Sequence, residues 1–535
     1  MFISPTRSGI VRFMAGFFAL FVSLSLAAPV EAEMTAFRQA VASSAARDKD
    51  IAAFYQSREY KPFWTAANAG ARRRALIEAL SDAPEHGLPA RRYDVEGLLA
   101  RLDAARTPKA RGIVEVEMSR VFVQYARDVQ TGVLVPGRVV SDIKREVPYR
   151  ERLSYLENFA RSHPRGFFRA LPPDSNEYTR LMKEKKKLES LLGAGGWGAQ
   201  VPAGALKPAD TGAAVVALRN RLIAMGFLRR TTTQSYDAAI QKAVQQFQLA
   251  HGLEADGVAG ASTMAEINKD AGERLQSVLV AMERERWMNM PRGERHILVN
   301  LTDFTARVMD NDTLTFETRS VVGATASDRR SPEFSDVMEF MVINPTWNVP
   351  RSIAVKEYLP MFQRNPNAAG HLRLVDSRGR TVSRSAVNFG AYTARTFPFN
   401  IKQPPGQRNA LGLVKFMFPN KYNIYLHDTP AKNLFSREVR AFSHGCIRLQ
   451  EPFDFAYTLL SRQTDDPEGF FRAKLNTGVE TVVPLEQPVP VHLIYRTAFT
   501  KAKGHMQYRR DIYGRDAQIW SALSEAGVAL RAVQG

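Results

Sequence analysis

From residue 33 to about residue 195 the apolar positions recur at helical spacing. In ARRRALIEALSDAPEHGL (71–88), Leu76, Ala79 and Leu80 share one face, and Gly87-Leu88-Pro89 is a stop signal. GIVEVEMSRVFVQYARDVQTG (112–132) repeats the pattern and ends on Gly132. KEKKK (183–187) reads as a solvated helix face. LLGAGGWGAQVPAGALKPAD (191–210) is rich in Gly, Ala and Pro and reads as a linker. A compact helical unit follows over 208–268. Val215, Leu218, Leu222 and Met225 make one apolar face there, Ile240, Val244 and Phe247 a second, and Ser262-Thr263 stands where a short third helix needs a cap. Near residue 295 the period changes to two. HILVNLTDFTARVMD sets Ile297, Val299 and Leu301 apart from polar neighbours, and DVMEFMVINPTWNVP, KYNIYLHDTP and VPVHLIYRTAF also read as strands. The chain is thus predicted to be multidomain α+β: a helical domain over 33–195, a three-helix unit over 208–268, a mostly β domain over 295–500, and a tail over 501–535.

Length agrees with that division, since 535 residues exceed one ordinary domain. The formal charge of +19 favours an anionic partner. The N-terminus narrows the choice. Arg7 and Arg12 precede an apolar run from Phe13 to Ala28, followed by a small-x-small site at Val30 and Ala32. This predicts a signal peptide over 1–32 and export to the periplasm, with an uncleaved membrane anchor as the alternative. An exported protein meets wall polymer and lipid rather than nucleic acid.

Export also gives meaning to the single cysteine, Cys446 in RAFSHGCIRL. It has no partner within the chain, so it is a reactive thiol or an intermolecular one. The nucleophilic form is the thiolate, and a loop residue ahead of a helix gains too little from the helix dipole, so a base is needed. His444 lies two residues away. His427 lies in NIYLHDTP, where Ile424 and Leu426 face one side and Tyr425 and His427 the other. The pattern alone leaves either histidine as the base. One cysteine among scattered histidines lacks the spacing of a metal site, and neither a metal nor a cofactor is expected.

The unit over 208–268 resembles the three-helix peptidoglycan-binding domain, on Leu218, Leu222, Gly226, Tyr236, Phe247, Gln248, Asp256, Gly257 and Thr263 among others. His427, fifteen further residues and then SHGCIR resemble the signature of YkuD-type L,D-transpeptidases, with Arg448 at the position that takes Asn or Arg. NPTWNVPRSI, QPPGQRNALGLVKFMFPN, LHDTPAKNLFS, DIYGRD and the N-terminal FYQSREYKPFW are similar to the larger YcbB-like subgroup. The resemblance implies an enzyme of cell wall biogenesis. Cys446 would attack the carbonyl of the third residue of a donor tetrapeptide stem and release D-alanine. An amine of an acceptor stem would then take the acyl group, giving a three-to-three cross-link. It further implies His427 as general base and acid, and backbone N–H groups of Gly445 and Cys446 as oxyanion donors. Ser443 and His444 would be supporting groups, and Arg448, Tyr425 and Trp347 would bind substrate. Residues 354–409 resemble the subgroup's capping insertion, and carbapenems would be captured by the thiol. An L,D-carboxypeptidase at the same thiol and an inert wall-binding scaffold are the alternatives.

Overall fold

The computed structural model describes residues 1, 33–202, 204–501 and 503–533. The signal segment expected over 1–32 falls outside the described residues, Met1 aside. Among the described residues no helix is long and apolar enough to cross a membrane.

The helical region closes around an aromatic core. Phe54, Tyr55, Phe63, Trp64, Phe122 and Phe159 are all buried in it. Helix Pro108–Thr131 carries Glu115 into this core, where its carboxylate accepts from the backbone N–H groups of Phe63 (2.6 Å) and Trp64 (2.9 Å) and from the Tyr55 hydroxyl (2.9 Å). A buried carboxylate is tolerable because it is this fully hydrogen-bonded. Helix Asn176–Gly193 corrects the expectation of a wholly solvated KEKKK face: Lys185 is buried and paired with buried Glu189 at 2.8 Å.

The three-helix unit comprises Ala213–Ala224, Ala238–His251 and Ala261–Ile267. Its apolar faces meet as the periodicity predicts. Ser262 and Thr263 do not cap the third helix; Gly260 precedes it, and the buried Thr263 hydroxyl accepts from Gln248 Nε2 at 3.1 Å. Arg509 docks the unit on the rest of the chain by donating to Ala250 O at 2.9 Å.

The strands that shape the site are β1 Arg295–Asn300, β2 Thr305–Asp310, β3 Thr313–Gly323, β4 Phe334–Ile343, β5 Trp347–Asn348, β6 Arg373–Val375, β7 Thr381–Val382, β8 Asn400–Gln403, β9 Val414–Met417, β10 Leu426–His427, β11 Ala441–Ser443, β12 Ile447–Leu449 and β13 Thr481–Ile494. Nine of them form one sheet in the order β11-β3-β12-β10-β9-β4-β13-β1-β2, and a β2–β3 pairing closes the ring. β1 is more buried than alternation suggests: Ile297 and Val299 face the ring's core, while Leu298 packs with Met288 and Ile494 on the other face. That second face is covered, so both sets of positions are withdrawn from water.

Strands β5, β8, β6 and β7 form a separate four-stranded sheet with its own core around Phe362, Leu374, Phe389 and Ile401. The insertion therefore begins at β5, ahead of residue 354. Asn409 Nδ2 staples its two necks, donating to Pro345 O (3.0 Å) and Gln403 O (3.2 Å).

The segment set apart as a tail is integral to the fold. Helix Arg515–Glu525 packs Ile519 and Leu523 against the long helix Ala271–Trp287. Arg284 of the long helix binds Asp516 (2.7 Å) and Glu333 (2.6 Å), and buried Arg515 binds the other Glu333 oxygen at 3.0 Å.

Candidate active site

The cleft beside the SHGC stretch has a volume of about 770 Å³. Trp347, Tyr425, His427, Ser443, His444, Cys446 and Arg448 all line it; of the sequence-predicted residues, Gly445 lies behind the wall. The sheet explains the gathering. β10 and β12 run parallel with His427 opposite Arg448, so Cys446, just before β12, stands beside Tyr425. Ile424 and Leu426 point into the core, which turns Tyr425 and His427 to the cleft.

Cys446 is half-buried, and its Sγ donates to Asn423 O at 3.5 Å. Burial pushes the thiol up to about 11, against the opposing pull of Tyr425 and Arg448. His427 is buried, and its Nδ1 lies 2.5 Å from Asp428 O. A carbonyl only accepts, so Nδ1 holds the proton and Nε2 is the basic nitrogen of the neutral ring. Burial first and the Arg448 cation second hold this imidazole down to about 3, although the Asp428 and Leu411 carbonyls favour its charged form. The resting pair is therefore neutral thiol and neutral imidazole. Among the described residues no hydrogen bond joins them. Tyr425 stands next to both: its ring is 5.6 Å from that of His427, and its phenol bears on the thiol.

Ser443 and Gly445 hold the loop together. Ser443 Oγ donates to Cys446 O at 2.5 Å and accepts from Gly445 N–H at 3.1 Å. The Gly445 N–H, expected as an oxyanion donor, is thus already engaged. Gly445 takes φ +114°, a region that only glycine enters freely. Among the described residues, the Cys446 N–H donates to no carbonyl or side chain.

His444 points to the insertion. Its Nε2 donates to Glu357 Oε1 at 2.6 Å, and the same oxygen accepts from Arg329 Nη2 at 2.7 Å. Lys356 pairs with Asp328 alongside, at 2.8 Å. Arg448 lines the cleft with its buried Nε unpartnered among the described residues. A buried guanidinium nitrogen without an acceptor suits a bound carboxylate.

Sequence reasoning missed the residues behind the wall. Ser331 Oγ donates to Gly445 O at 2.6 Å and accepts from Gly323 N–H at 2.9 Å. Tyr513 and Arg515 of DIYGRD reach the same loop: the Tyr513 hydroxyl donates to Gly323 O (2.5 Å), and Arg515 Nη2 donates to Ser331 O (2.7 Å). Serine in RRSPEF gave no periodic or motif signal. DIYGRD did stand out as a stretch, but its contact with the site depends on a fold that spans nearly two hundred residues.

Residues 294–479 match the L,D-transpeptidase catalytic domain, YkuD; residues 211–267 match a "Putative peptidoglycan binding domain"; residues 49–184 match the scaffold domain. The chain thus carries a YkuD-type catalytic domain and a peptidoglycan-binding domain. A "Putative L,D-transpeptidase" of Haemophilus influenzae is 31% identical over 246 residues, covering 45% of this chain. The chain spans about half the length of that curated relative, 48%. Among solved structures, an L,D-transpeptidase from Xylanimonas cellulosilytica is 15% identical, covering 56% of this chain and 98% of that one, with a TM-score of 0.16. One from Stackebrandtia nassauensis is 13% identical, covering 56% and 97%, with a TM-score of 0.22.

Proposed function

We propose that this protein is an L,D-transpeptidase that forms three-to-three peptidoglycan cross-links through a thioester at Cys446. The observation that carries the reading is the position of the chain's one thiol, in a cleft shared with a neutral histidine and with Arg448, whose buried Nε has no partner among the described residues. The donor tetrapeptide's carbonyl at stem position three meets Sγ as His427 takes the thiol proton. Proton transfer accompanies attack, because the resting thiol and imidazole are both neutral. The Cys446 N–H receives the oxyanion. The bond to D-alanine breaks, and His427 returns the proton to the leaving amine. An acceptor side-chain amine then attacks the thioester, loses its proton to His427, and the thiol is restored. Arg448 pairs with a stem carboxylate. Such pairing also offsets the cation that depresses His427, so a bound donor makes the base stronger.

The separately cored insertion favours cross-linking over the carboxypeptidase alternative, since a roofed cleft limits water at the thioester. The peptidoglycan-binding domain and the net charge of +19 suit an anionic wall. The basic-apolar N-terminus suits export to the periplasm. The test is carbapenem labelling followed by whole-protein mass. One adduct is expected on the parent chain and none on Cys446→Ala; an adduct surviving the substitution would remove Cys446 from the reaction.

A further inference from the structure

The Gly445–Cys446 peptide is held from behind. Ser331 is fully buried, and its hydroxyl donates to Gly445 O at 2.6 Å while accepting from Gly323 N–H. A trans peptide is planar, so the carbonyl of Gly445 and the N–H of Cys446 point in opposite directions. Fixing the carbonyl towards the core therefore fixes the N–H towards the cleft. Among the described residues that N–H has no partner, whereas Gly445 N–H is spent on Ser443. Ser443 ties the backbone on either side of this peptide, while Gly445, lacking a Cβ, offers little steric resistance to rotation of the peptide itself.

Ser331 is itself clamped. A Cβ on Gly323 would lie 2.2 Å from Arg329 O and 2.5 Å from Ser331 N, so this loop lies directly on the end of β3. Tyr513 accepts weakly from Ser331 N–H at 3.4 Å, and Arg515 holds Ser331 O. Arg515 is anchored in turn through Glu333 to Arg284 on the long helix.

We infer that Ser331 is a positioning residue for the acyl-transfer reaction: through Gly445 O it aims the Cys446 N–H as the oxyanion donor, and Tyr513 and Arg515 of the C-terminal segment brace it. This rests on the acyl-enzyme reading above.

The test compares two reactions of the same thiol in the full chain. Carbapenem acylation passes through an oxyanion; alkylation by iodoacetamide does not. Ser331→Ala is expected to slow acylation about 10- to 100-fold, below or at the lower end of the loss for deleting a donor outright, while leaving the alkylation rate within about twofold. Tyr513→Phe, a gentler change to the same brace, is expected to show the same divergence at smaller size and serves if Ser331→Ala fails to fold. Acylation at the parent rate in the variants would overturn the inference, and so would equal losses in both reactions, which would mean general disorder of the loop. Failure of the parent itself to acylate would instead defeat the transpeptidase reading, and that result is distinct from either.

Discussion

A single cysteine makes the state of the thiol proposed as nucleophile directly measurable. Burial lifts Cys446 from an ordinary value near 9 to about 11. At pH 7 this cuts the thiolate fraction from about 1% to about 0.01%, a loss of about a hundredfold. A more basic thiolate is a better nucleophile, and a Brønsted slope of about 0.4–0.5 restores about six- to tenfold. Iodoacetamide should therefore alkylate the native protein about ten- to fifteenfold more slowly than an exposed thiol of ordinary acidity. Whole-protein mass spectrometry reads one site, and the urea-unfolded chain supplies the reference. The logarithm of the rate should climb with unit slope to near pH 11. A plateau reached by about pH 7 would mean a preformed thiolate–imidazolium pair and would refute the neutral resting dyad. Arg448→Met should slow alkylation further, because Arg448 favours the thiolate. It should also move the acid limb of carbapenem acylation up from about pH 3. That limb should stay below 6.5, because burial, the larger cause, remains.

His427→Ala should cost acylation about a hundredfold or more with the fold intact, and His444→Ala less; near-normal acylation by the His427 variant would transfer the base role to His444. Glu357→Ala cuts the insertion's link to His444 and Arg329, so hydrogen exchange over 351–364 should rise and products should shift from cross-linked dimer to free tripeptide; unchanged exchange and products would make the contact incidental. Buried His492 is held down to about 4, chiefly by burial; its Nε2 donates to Arg292 O, and its Nδ1 accepts from Ser335. The unfolded chain binds more protons between about pH 4 and 6.5, so stability rises with pH there. A contribution of roughly 3 kcal/mol is present above 6.5 and lost as pH falls to about 4. Urea midpoints of the catalytic domain at pH 7.5 and 4.0 check this, and His492→Gln should flatten part of the difference; equal midpoints would contradict it.

The division into helical and strand regions was legible because each writes a period on the chain. That Cys446, His427 and His444 stand together was legible because the thiol's solitude and the histidines around it are local facts, and all three line one cleft. What escaped depends on long-range closure. Lys185 looked solvated because a charge run carries no sign of the one member that turns inward to Glu189. Ser262 and Thr263 looked like caps because their residue types suit that role, yet Gln248 claims Thr263 from another helix. Residues 501–535 looked like a tail because their chief contacts, Arg515 to Glu333 and Asp516 to Arg284, reach back 182 and 232 positions. Ser331 was invisible for the same reason: its partner Gly445 stands 114 positions downstream. The motif named the groups proposed to react, and the fold brought in the groups proposed to aim them.

The central claim is that an amine, not water, resolves the thioester at Cys446. The direct measurement is mass spectrometry of products from purified tetrapeptide muropeptides incubated with the full chain and no other substrate. A cross-linked tetra–tri dimer with release of D-alanine is predicted, and neither product from Cys446→Ala. Free tripeptide as the sole product, even at high substrate concentration, would contradict the account.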